Sequence, residues 1–348
     1  MTATPARTSQ ILVGTAAAIA LLYFLRAVLI PFVVAYVLMV LVSALVRSIQ
    51  KLWAGAPFWA VSIAAGLAVI VSASAGIFIM AQGAAHIVAE GPALLTRLDR
   101  ILLDLGYSMH LKEQLRVSTL IGQVSISQIA GFLLNQMQGL VTGLLLMIVY
   151  FGFLLAGQRR MPKKIEAAAG SSARAASVIQ TGERISTAIE TYVWVQTITG
   201  AMITLSAAIV MVAVGLHDAL FWIVLFFLLT YIPNIGVTIG SIAPALFAFV
   251  QFPTLWQGFA IFGVTQITAT FVGNFIFPRM QAETQNIDPV VTLLSLAFWT
   301  LLWGLAGSFL AVPLTLAVMM VFAQFESTRW VSAMLSNDGK PSFVKPVD

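Results

Sequence analysis

The fold is decided by a short interruption, Tyr231-Ile-Pro-Asn-Ile-Gly236-Val-Thr-Ile-Gly240, in an apolar tract that runs from residue 219 to residue 250. Proline and glycine both interrupt helices, and this tract is too long for one membrane crossing of about 20 residues. Main-chain groups freed at such a break are tolerated only where protein or a water-filled cavity surrounds them. The tract is therefore predicted to form either two short spans or a re-entrant helical hairpin.

A second apolar tract, residues 289–323, is interrupted in the same way by Trp303-Gly-Leu-Ala-Gly307. Other apolar stretches are each about as long as a single span. They cover residues 11–25, 27–46, 58–81, 139–156, 192–215 and 256–277. The sequence thus predicts an all-α membrane protein with about eight membrane segments, two of which are the Gly/Pro-broken tracts.

The composition agrees with a membrane protein. Of 348 residues, 60% are apolar and 9% are charged, whereas soluble proteins carry about 25% charged residues. A soluble enzyme, a nucleic-acid binder and a disordered chain are all disfavoured. The chain has no Cys, and its three His (positions 86, 110 and 217) lack the spacing of a zinc site. No enzymatic activity, cofactor or metal is expected.

The distribution of charge predicts the topology. We assume a cytoplasmic N-terminus and let successive loops alternate between the two sides of the membrane. This topology places 13 of the 18 Lys and Arg residues on the cytoplasmic side, as the positive-inside rule requires. Both termini are then cytoplasmic. The predicted regions are residues 1–81 with three N-terminal spans, 82–138 as an external segment of short amphipathic helices, 139–190 with a span and a basic cytoplasmic linker, 191–325 as a transport core with two related repeats, and 326–348 as a cytoplasmic tail.

The transport core repeats itself at an interval of about seventy residues. Gln196 in Val-Gln-Thr-Ile-Thr is echoed by Gln266 in Thr-Gln-Ile-Thr. Gly240-Ser-Ile-Ala-Pro244 is echoed by Gly307-Ser-Phe-Leu-Ala-Val-Pro313. Each unit has one span and one returning tract, so the second unit enters from the opposite face. Inverted repeats with broken helices are typical of secondary transporters, which bind solute near the membrane midplane.

The motifs of the C-terminal half resemble the autoinducer-2 exporter family of bacterial membrane proteins. The resemblance is dense over residues 180–330 and extends, through Ile30-Pro31, to the opening spans. It is carried by Tyr231-Ile-Pro-Asn-Ile-Gly236, Gly240, Pro244, Asn274, Pro278-Arg279, Asp288-Pro-Val-Val-Thr-Leu-Leu-Ser-Leu-Ala-Phe-Trp299, Trp303-Gly304, Gly307, Ala311-Val-Pro313-Leu-Thr315 and the tail Gln324-Phe-Glu-Ser-Thr-Arg329-Trp.

The resemblance implies export of a small polar signal or metabolite, with a role in quorum sensing, from the bacterial inner membrane. Some members are reported as sodium/proton antiporters. Several carry a carboxylate just before the proline that matches Pro278, where this chain has Phe277. The expected partners are a small-molecule solute, the lipid bilayer and further copies of the chain, and no nucleic acid is expected.

Polar and helix-breaking residues inside the spans are the candidate functional residues, because polar groups in hydrocarbon are costly unless partnered. Each has a structural alternative, namely an interhelical amide bond, a helix cap or close packing for the uncharged residues and solvation for the loop charges. The predicted solute-binding residues are Gln196, Asn234, Gln266 and Asn274; the breaks or hinges are Pro233, Gly236, Gly240, Pro244, Gly304, Gly307 and Pro313; and the possible coupling or gate charges are Arg184, Glu190, Arg279 and Asp288.

The sequence favours a secondary transporter that exports a small polar solute by alternating access. A cation/proton antiporter is the first alternative, but it needs a carboxylate within the membrane. Residues 191–277 offer only Asp218, which is expected to face external solvent, and residues 289–325 offer none. A non-transporting scaffold or channel-like oligomer is the second alternative.

Overall fold

The computed structural model describes residues 5–52, 57–108, 126–233, 235–281 and 286–339, and the regular structure in these ranges is helical. Two short segments of these ranges are helical but not α-helical, namely a 3₁₀ turn at Gln158–Arg160 and a π-helical segment at Val272–Ile276. The α-helices are α1 Pro5–Phe24, α2 Arg26–Leu52, α3 Phe58–Ser108, α4 Ile126–Gly157, α5 Met161–Ala168, α6 Ser172–Ala213, α7 Ala219–Leu229, α8 Ile235–Gln251, α9 Trp256–Phe271, α10 Phe277–Gln281, α11 Pro289–Ala323 and α12 Arg329–Leu335.

The described part of the chain contains 6 helical stretches that are long and apolar enough to cross a membrane. Three shorter apolar helices, Leu12–Phe24, α7 and α8, accompany them. The all-α class is therefore confirmed for the described residues, while the count of eight segments stays a prediction. The six stretches are Arg26–Lys51, Ala60–Gly91, Thr142–Ala168, Ser172–Ala213, Trp256–Met280 and Pro289–Ala323.

Both predicted breaks are present. In the first tract, α7 ends at Leu229 and α8 begins at Ile235. In the second, α11 is kinked at Gly304, whose φ of 62° and ψ of −141° are not helical. These angles lie close to a region that only glycine adopts without strain, so the residue type fits the kink.

Pro244 and Pro313 were predicted to be helix breaks or hinges. Neither proline ends its helix, and a hinge at either residue stays a prediction. Pro244 lies inside α8 and Pro313 lies inside α11, and each helix continues past its proline. Both residues are buried. Neighbouring helices can accommodate the carbonyl that a proline leaves unpaired, so the proline is tolerated where a solvent-exposed helix would break.

The predicted border between a span and an external segment at residue 81 does not coincide with the end of a helix. Helix α3 has 51 residues, or about 75 Å at 1.5 Å per residue, which is more than twice the hydrocarbon thickness of about 30 Å. The charges that begin at Glu90 predict the point at which α3 leaves the membrane, but the helix itself continues to Ser108. Residues 109–125 of the predicted external segment lie outside the described residues.

The chain divides into two compact units, and α3, α4 and α6 pass from one to the other. In the first unit, α2 packs against α1 and α11, and α12 packs against α11. In the second unit, a buried cluster that includes Ala207, Phe226 and Ala248 joins α6, α7 and α8. Unit 1 comprises residues 1–66, 143–194 and 281–348, and unit 2 comprises residues 67–142 and 195–280.

Candidate functional site

The break between α7 and α8 is held by two polar contacts from α6. The Gln196 Nε2 donates a hydrogen bond to the main-chain carbonyl of Thr230. One residue further along each segment, the hydroxyl oxygens of Thr197 and Tyr231 lie 2.7 Å apart. Carbonyls at the end of a helix lose their intrahelical partners, and Gln196 replaces the partner of one of them. Its amide therefore stabilises the break.

Gly200 and Thr204 extend the same face of α6 at intervals of four residues. A side chain at Gly200 would collide with the hydroxyl of Thr230, so the helix and the break are in close contact here. Thr204 is buried, and its hydroxyl has no hydrogen-bond partner in the described part of the chain. Buried hydroxyls are usually paired. The Thr204 hydroxyl is therefore an exception to this pairing within the described residues.

The two broken tracts share one packing feature. A side chain at Gly236 would collide with the main-chain carbonyl of Leu229, and a side chain at Gly307 would collide with that of Trp299. In both tracts the glycine follows the break and packs against main chain that precedes it. This packing matches Gly307 with Gly236, whereas the sequence echo matched it with Gly240. Gly240 instead packs against the ring of Phe226.

Two tryptophans lie just before the kink in α11. The Trp299 Nε1 donates to the Thr315 hydroxyl at 3.1 Å, and both side chains are buried. The Trp303 Nε1 donates to the main-chain carbonyl of Leu22 in α1 at 3.0 Å. The segment of α11 that precedes the kink at Gly304 therefore has both indole N–H groups paired, one with α11 itself and one with α1.

The other predicted solute-binding residues lie elsewhere in the chain. Gln266 is half-buried on α9, and Asn274 is exposed within the π-helical segment. Segments of this type are frequent at functional sites. Gln196 is hydrogen-bonded to Thr230 and to neither of these amides. Asn234 lies outside the described residues, and Pro233 lies in the non-helical turn, where its carbonyl accepts a hydrogen bond from the Ile235 N–H at 2.6 Å.

Among the predicted gate charges, Glu190 has a defined partner on another helix. Its Oε2 lies 2.5 Å from the Arg47 Nη2 of α2. The sequence analysis named Glu190 and Arg184 together as possible coupling or gate charges, without a partner from another helix. Arg47 is 143 residues away in the chain, and no local sequence pattern indicates this pair.

Asp288 has a structural role. Its Oδ1 accepts hydrogen bonds from the N–H groups of Val290 at 2.7 Å and Val291 at 3.3 Å, so it caps the N-terminus of α11. This accounts for a carboxylate at this position without a gating function. Arg279 lies in α10 and is exposed.

A polar contact that the sequence interpretation missed joins α3 to the turn between α6 and α7. The His86 Nδ1 and the Asp218 Oδ2 lie 2.6 Å apart. The expectation that Asp218 only faces solvent is wrong.

The described residues contain no group of three or more His, Asp or Glu side chains that could hold a metal ion.

The sequence profile of the AI-2E family transporters matches residues 12–327. The chain belongs to the AI-2E transporter family. A putative transport protein of Haemophilus influenzae is 29% identical over 201 residues, which are 57% of this chain and 57% of that protein. The AI-2 transport protein TqsA of Escherichia coli is 26% identical over 208 residues, or 60% of this chain and 59% of that protein.

A third relative, a putative transport protein of Borreliella burgdorferi, is 26% identical over 190 residues, or 54% of this chain and 52% of that protein. The matched parts thus span less than two thirds of each of these relatives. Family membership and the apolar helices together identify a multipass membrane protein of a transporter family. The resemblance deduced from the motifs is confirmed.

Proposed function

We propose that this chain is a secondary transporter that exports a small, polar, uncharged solute across the bacterial inner membrane. The observation that carries the proposal is the hydrogen bond from Gln196 to the carbonyl of Thr230, at a helix break next to a buried apolar cluster. The Gln196 amide and the Thr230 carbonyl can give up their mutual hydrogen bond, and each can then form a hydrogen bond with a hydroxyl group of the solute. The pair is therefore both a support for the break and a binding element.

The chemistry of the region favours a neutral solute. Residues 191–277 contain one charged side chain, that of Asp218, and residues 289–325 contain none. The available groups are the Gln196 amide, the Thr197 and Tyr231 hydroxyls and the unpaired Thr204 hydroxyl. Such donors and acceptors suit hydroxyl and carbonyl groups. The name of the Escherichia coli relative, AI-2 transport protein, supports an autoinducer-2-like signal or a related metabolite as the solute.

Transport would follow alternating access. The two broken tracts have similar local packing at Gly236 and Gly307, and this supports an inverted repeat whose halves exchange roles as the site opens to each side.

The excess of Lys and Arg in the predicted inner loops supports cytoplasmic termini and hence an inward-facing linker at residues 157–190. We also propose that the chain assembles with further copies of itself.

Counterflow in proteoliposomes tests the proposal. Vesicles that contain the purified protein are preloaded with an unlabelled hydroxylated solute, and the uptake of the labelled solute is then followed with and without a sodium or proton gradient. Saturable accumulation of label that needs no ion gradient is expected. Absence of accumulation for every autoinducer-2-like solute tested, with protein that is folded and inserted, would contradict solute export.

A cation/proton antiporter is a second candidate, favoured by the Arg47–Glu190 ion pair. The side chains are 56% and 26% exposed, and both residues lie near the predicted cytoplasmic ends of their spans. A proton or cation from the cytoplasm can therefore compete with Arg47 for the carboxylate. The same vesicles, loaded with a pH-sensitive dye, distinguish the two functions. Sodium-driven proton movement without solute would favour the antiporter.

A further inference from the structure

The contact between α3 and the turn that joins α6 to α7 has an ionic part and an apolar part on one face of α3. Gly83 lies so close to Phe221 that a side chain there would collide with the ring. One turn later, the His86 Nδ1 lies 2.6 Å from the Asp218 Oδ2. A further turn along, the Glu90 Oε1 lies 3.7 Å from the His86 Nε2. The imidazole is therefore placed between two carboxylates.

The backbone of Asp218 indicates that this contact is more than a chance surface pair. Asp218 has φ 53° and ψ 32°, and it is the single non-glycine residue with positive φ in the described part of the chain. It also occupies the N-cap position of α7, where an Asp side chain usually accepts hydrogen bonds from the first turn. Here the carboxylate makes no capping bond and instead faces His86. Asp is one of the few non-glycine residues that adopt this left-handed conformation, because its short polar side chain can form hydrogen bonds locally, and here that side chain contacts His86.

Protonation of His86 would change this contact in a defined direction. An imidazolium has two N–H donors and a positive charge, so it can satisfy Asp218 and Glu90 together. A neutral imidazole has one donor and one lone pair. If the donor stays on Nδ1 towards Asp218, the lone pair on Nε2 faces the carboxylate of Glu90 and repels it.

Within the described ranges, no cationic side chain is placed next to the ring of His86. His217 precedes Asp218 but is exposed, and its main-chain N–H donates to the Gln251 side chain at 2.8 Å. The next charges along α3 are Arg97, Asp99 and Arg100, which begin 11 residues beyond His86. At 1.5 Å per residue this is roughly 16 Å, beyond the screening length of physiological salt. Among the residues that the structure describes, Asp218 and Glu90 are therefore the charged groups that contact His86.

We propose that His86 and Asp218, with Glu90, form a proton-controlled latch between α3 and the α6–α7 turn. The latch is closed when the imidazole is protonated and loosens as the pH rises through the range in which imidazoles titrate. The turn joins α6, which carries Gln196, to α7, which ends at the break. Release of the latch therefore frees both helices that form the candidate solute site.

The latch can exist whether or not the protein transports a solute. Its effect on solute flux, however, rests on the proposed function. A readout other than flux is therefore needed. The chain has no Cys, so a single Cys introduced at Ile87, a partly buried residue of α3 that packs against the core of unit 2, reports how well α3 is docked. A single Cys at the exposed neighbour Ala85 is the reference. The ratio of their maleimide labelling rates largely cancels the dependence of thiol reactivity on pH.

With His86 and Asp218 intact, the labelling ratio of position 87 to position 85 should rise severalfold from pH 5.5 to pH 8.5. In His86→Gln the ratio should be high at both pH values, because Gln cannot acquire the charge. Asp218→Asn should give the same result, and Asn tolerates the left-handed backbone. The control His217→Gln should keep the full pH response.

A labelling ratio that does not change with pH in the otherwise unmodified chain would overturn the latch, and so would a pH response that survives both His86→Gln and Asp218→Asn. A disulfide between Cys residues at positions 86 and 218 should lower solute counterflow until a reductant restores it. If the labelling ratio responds as expected but no solute is transported under any condition, the latch stands and the proposed function fails.

Discussion

Gly236 packs directly against the main-chain carbonyl of Leu229, so the two halves of the first broken tract meet without a side chain between them. The same relationship joins Gly307 to the carbonyl of Trp299 in the second tract. A carbonyl belongs to the rigid main chain and cannot turn away as the end of a flexible side chain can. Each break therefore requires a glycine, whose side chain is a single hydrogen atom, at the position that meets the carbonyl.

Gly236→Ala and Gly307→Ala should each destabilise the protein. The added methyl group forces a shift of main chain, and overpacking of this kind costs about 1–3 kcal/mol. The melting temperature in detergent should fall for both variants. Gly263→Ala is the matched control, because a Cβ at Gly263 has no neighbour within 4 Å and the helix gains propensity. Equal melting temperatures for all three variants would contradict the packing at the breaks.

The indole of Trp299 should lose its partner in Thr315→Val. Valine keeps the shape of threonine but cannot accept the hydrogen bond that Trp299 donates at 3.1 Å. A buried donor left unpaired costs about 1–3 kcal/mol, so the unfolding temperature should fall. Thr300→Val, an exposed position of the same helix, should change it little. Fluorescence of the tryptophans during heating measures both variants, and no difference between them would argue against the hydrogen bond.

The breaks themselves were predictable from the sequence, since Pro233, Gly236, Gly304 and Gly307 interrupt otherwise uniform apolar tracts. Local composition also suggested breaks at Pro244 and Pro313, yet both helices continue. The difference lies in packing, because buried prolines in a bundle can be accommodated by neighbouring helices. Sequence patterns report the propensity to break a helix, whereas the tertiary contacts decide whether it breaks.

Glu190→Gln should lower solute flux severalfold while leaving the melting temperature nearly unchanged. The ion pair with Arg47 is partly exposed, and such pairs contribute roughly 0–1 kcal/mol to stability. Loss of the ion pair should therefore change the solute flux through the proposed gate and leave the stability of the fold nearly unchanged. The double variant Arg47→Glu with Glu190→Arg should recover part of the flux, because it restores opposite charges. Unchanged flux in Glu190→Gln, measured by counterflow, would remove Glu190 from the gate.

The topology can be tested by labelling single Cys residues in intact cells. A Cys at Lys163 should be protected from a membrane-impermeant maleimide, because the basic linker is predicted to be cytoplasmic. A Cys at Tyr107, which is exposed near the end of α3, should react. Both should react after permeabilisation. Labelling of position 163 in intact cells would reverse the assignment of inside and outside.

The polar contacts that define the candidate site were only partly predictable. Gln196 stood out as an amide within a span, but its partner is the carbonyl of Thr230, and a main-chain group has no signature in the sequence. The pairing of Arg47 with Glu190 joins positions 143 residues apart. The contact between His86 and Asp218 joins positions 132 residues apart. No local pattern encodes such pairs, because they depend on how helices pack and not on the composition of each helix.

The most direct test of solute binding at the break is counterflow by Gln196→Leu. Leucine keeps the approximate size of glutamine but leaves the carbonyl of Thr230 without its partner and removes the amide that would bind solute. The matched control is Gln180→Leu, an exposed position on the same helix. If Gln196 binds solute at the break, kcat/KM for counterflow should fall about tenfold or more in Gln196→Leu, which corresponds to about 1.4 kcal/mol, and should stay at the original value in Gln180→Leu. Equal flux in both variants, with equal amounts of folded protein in the vesicles, would contradict it.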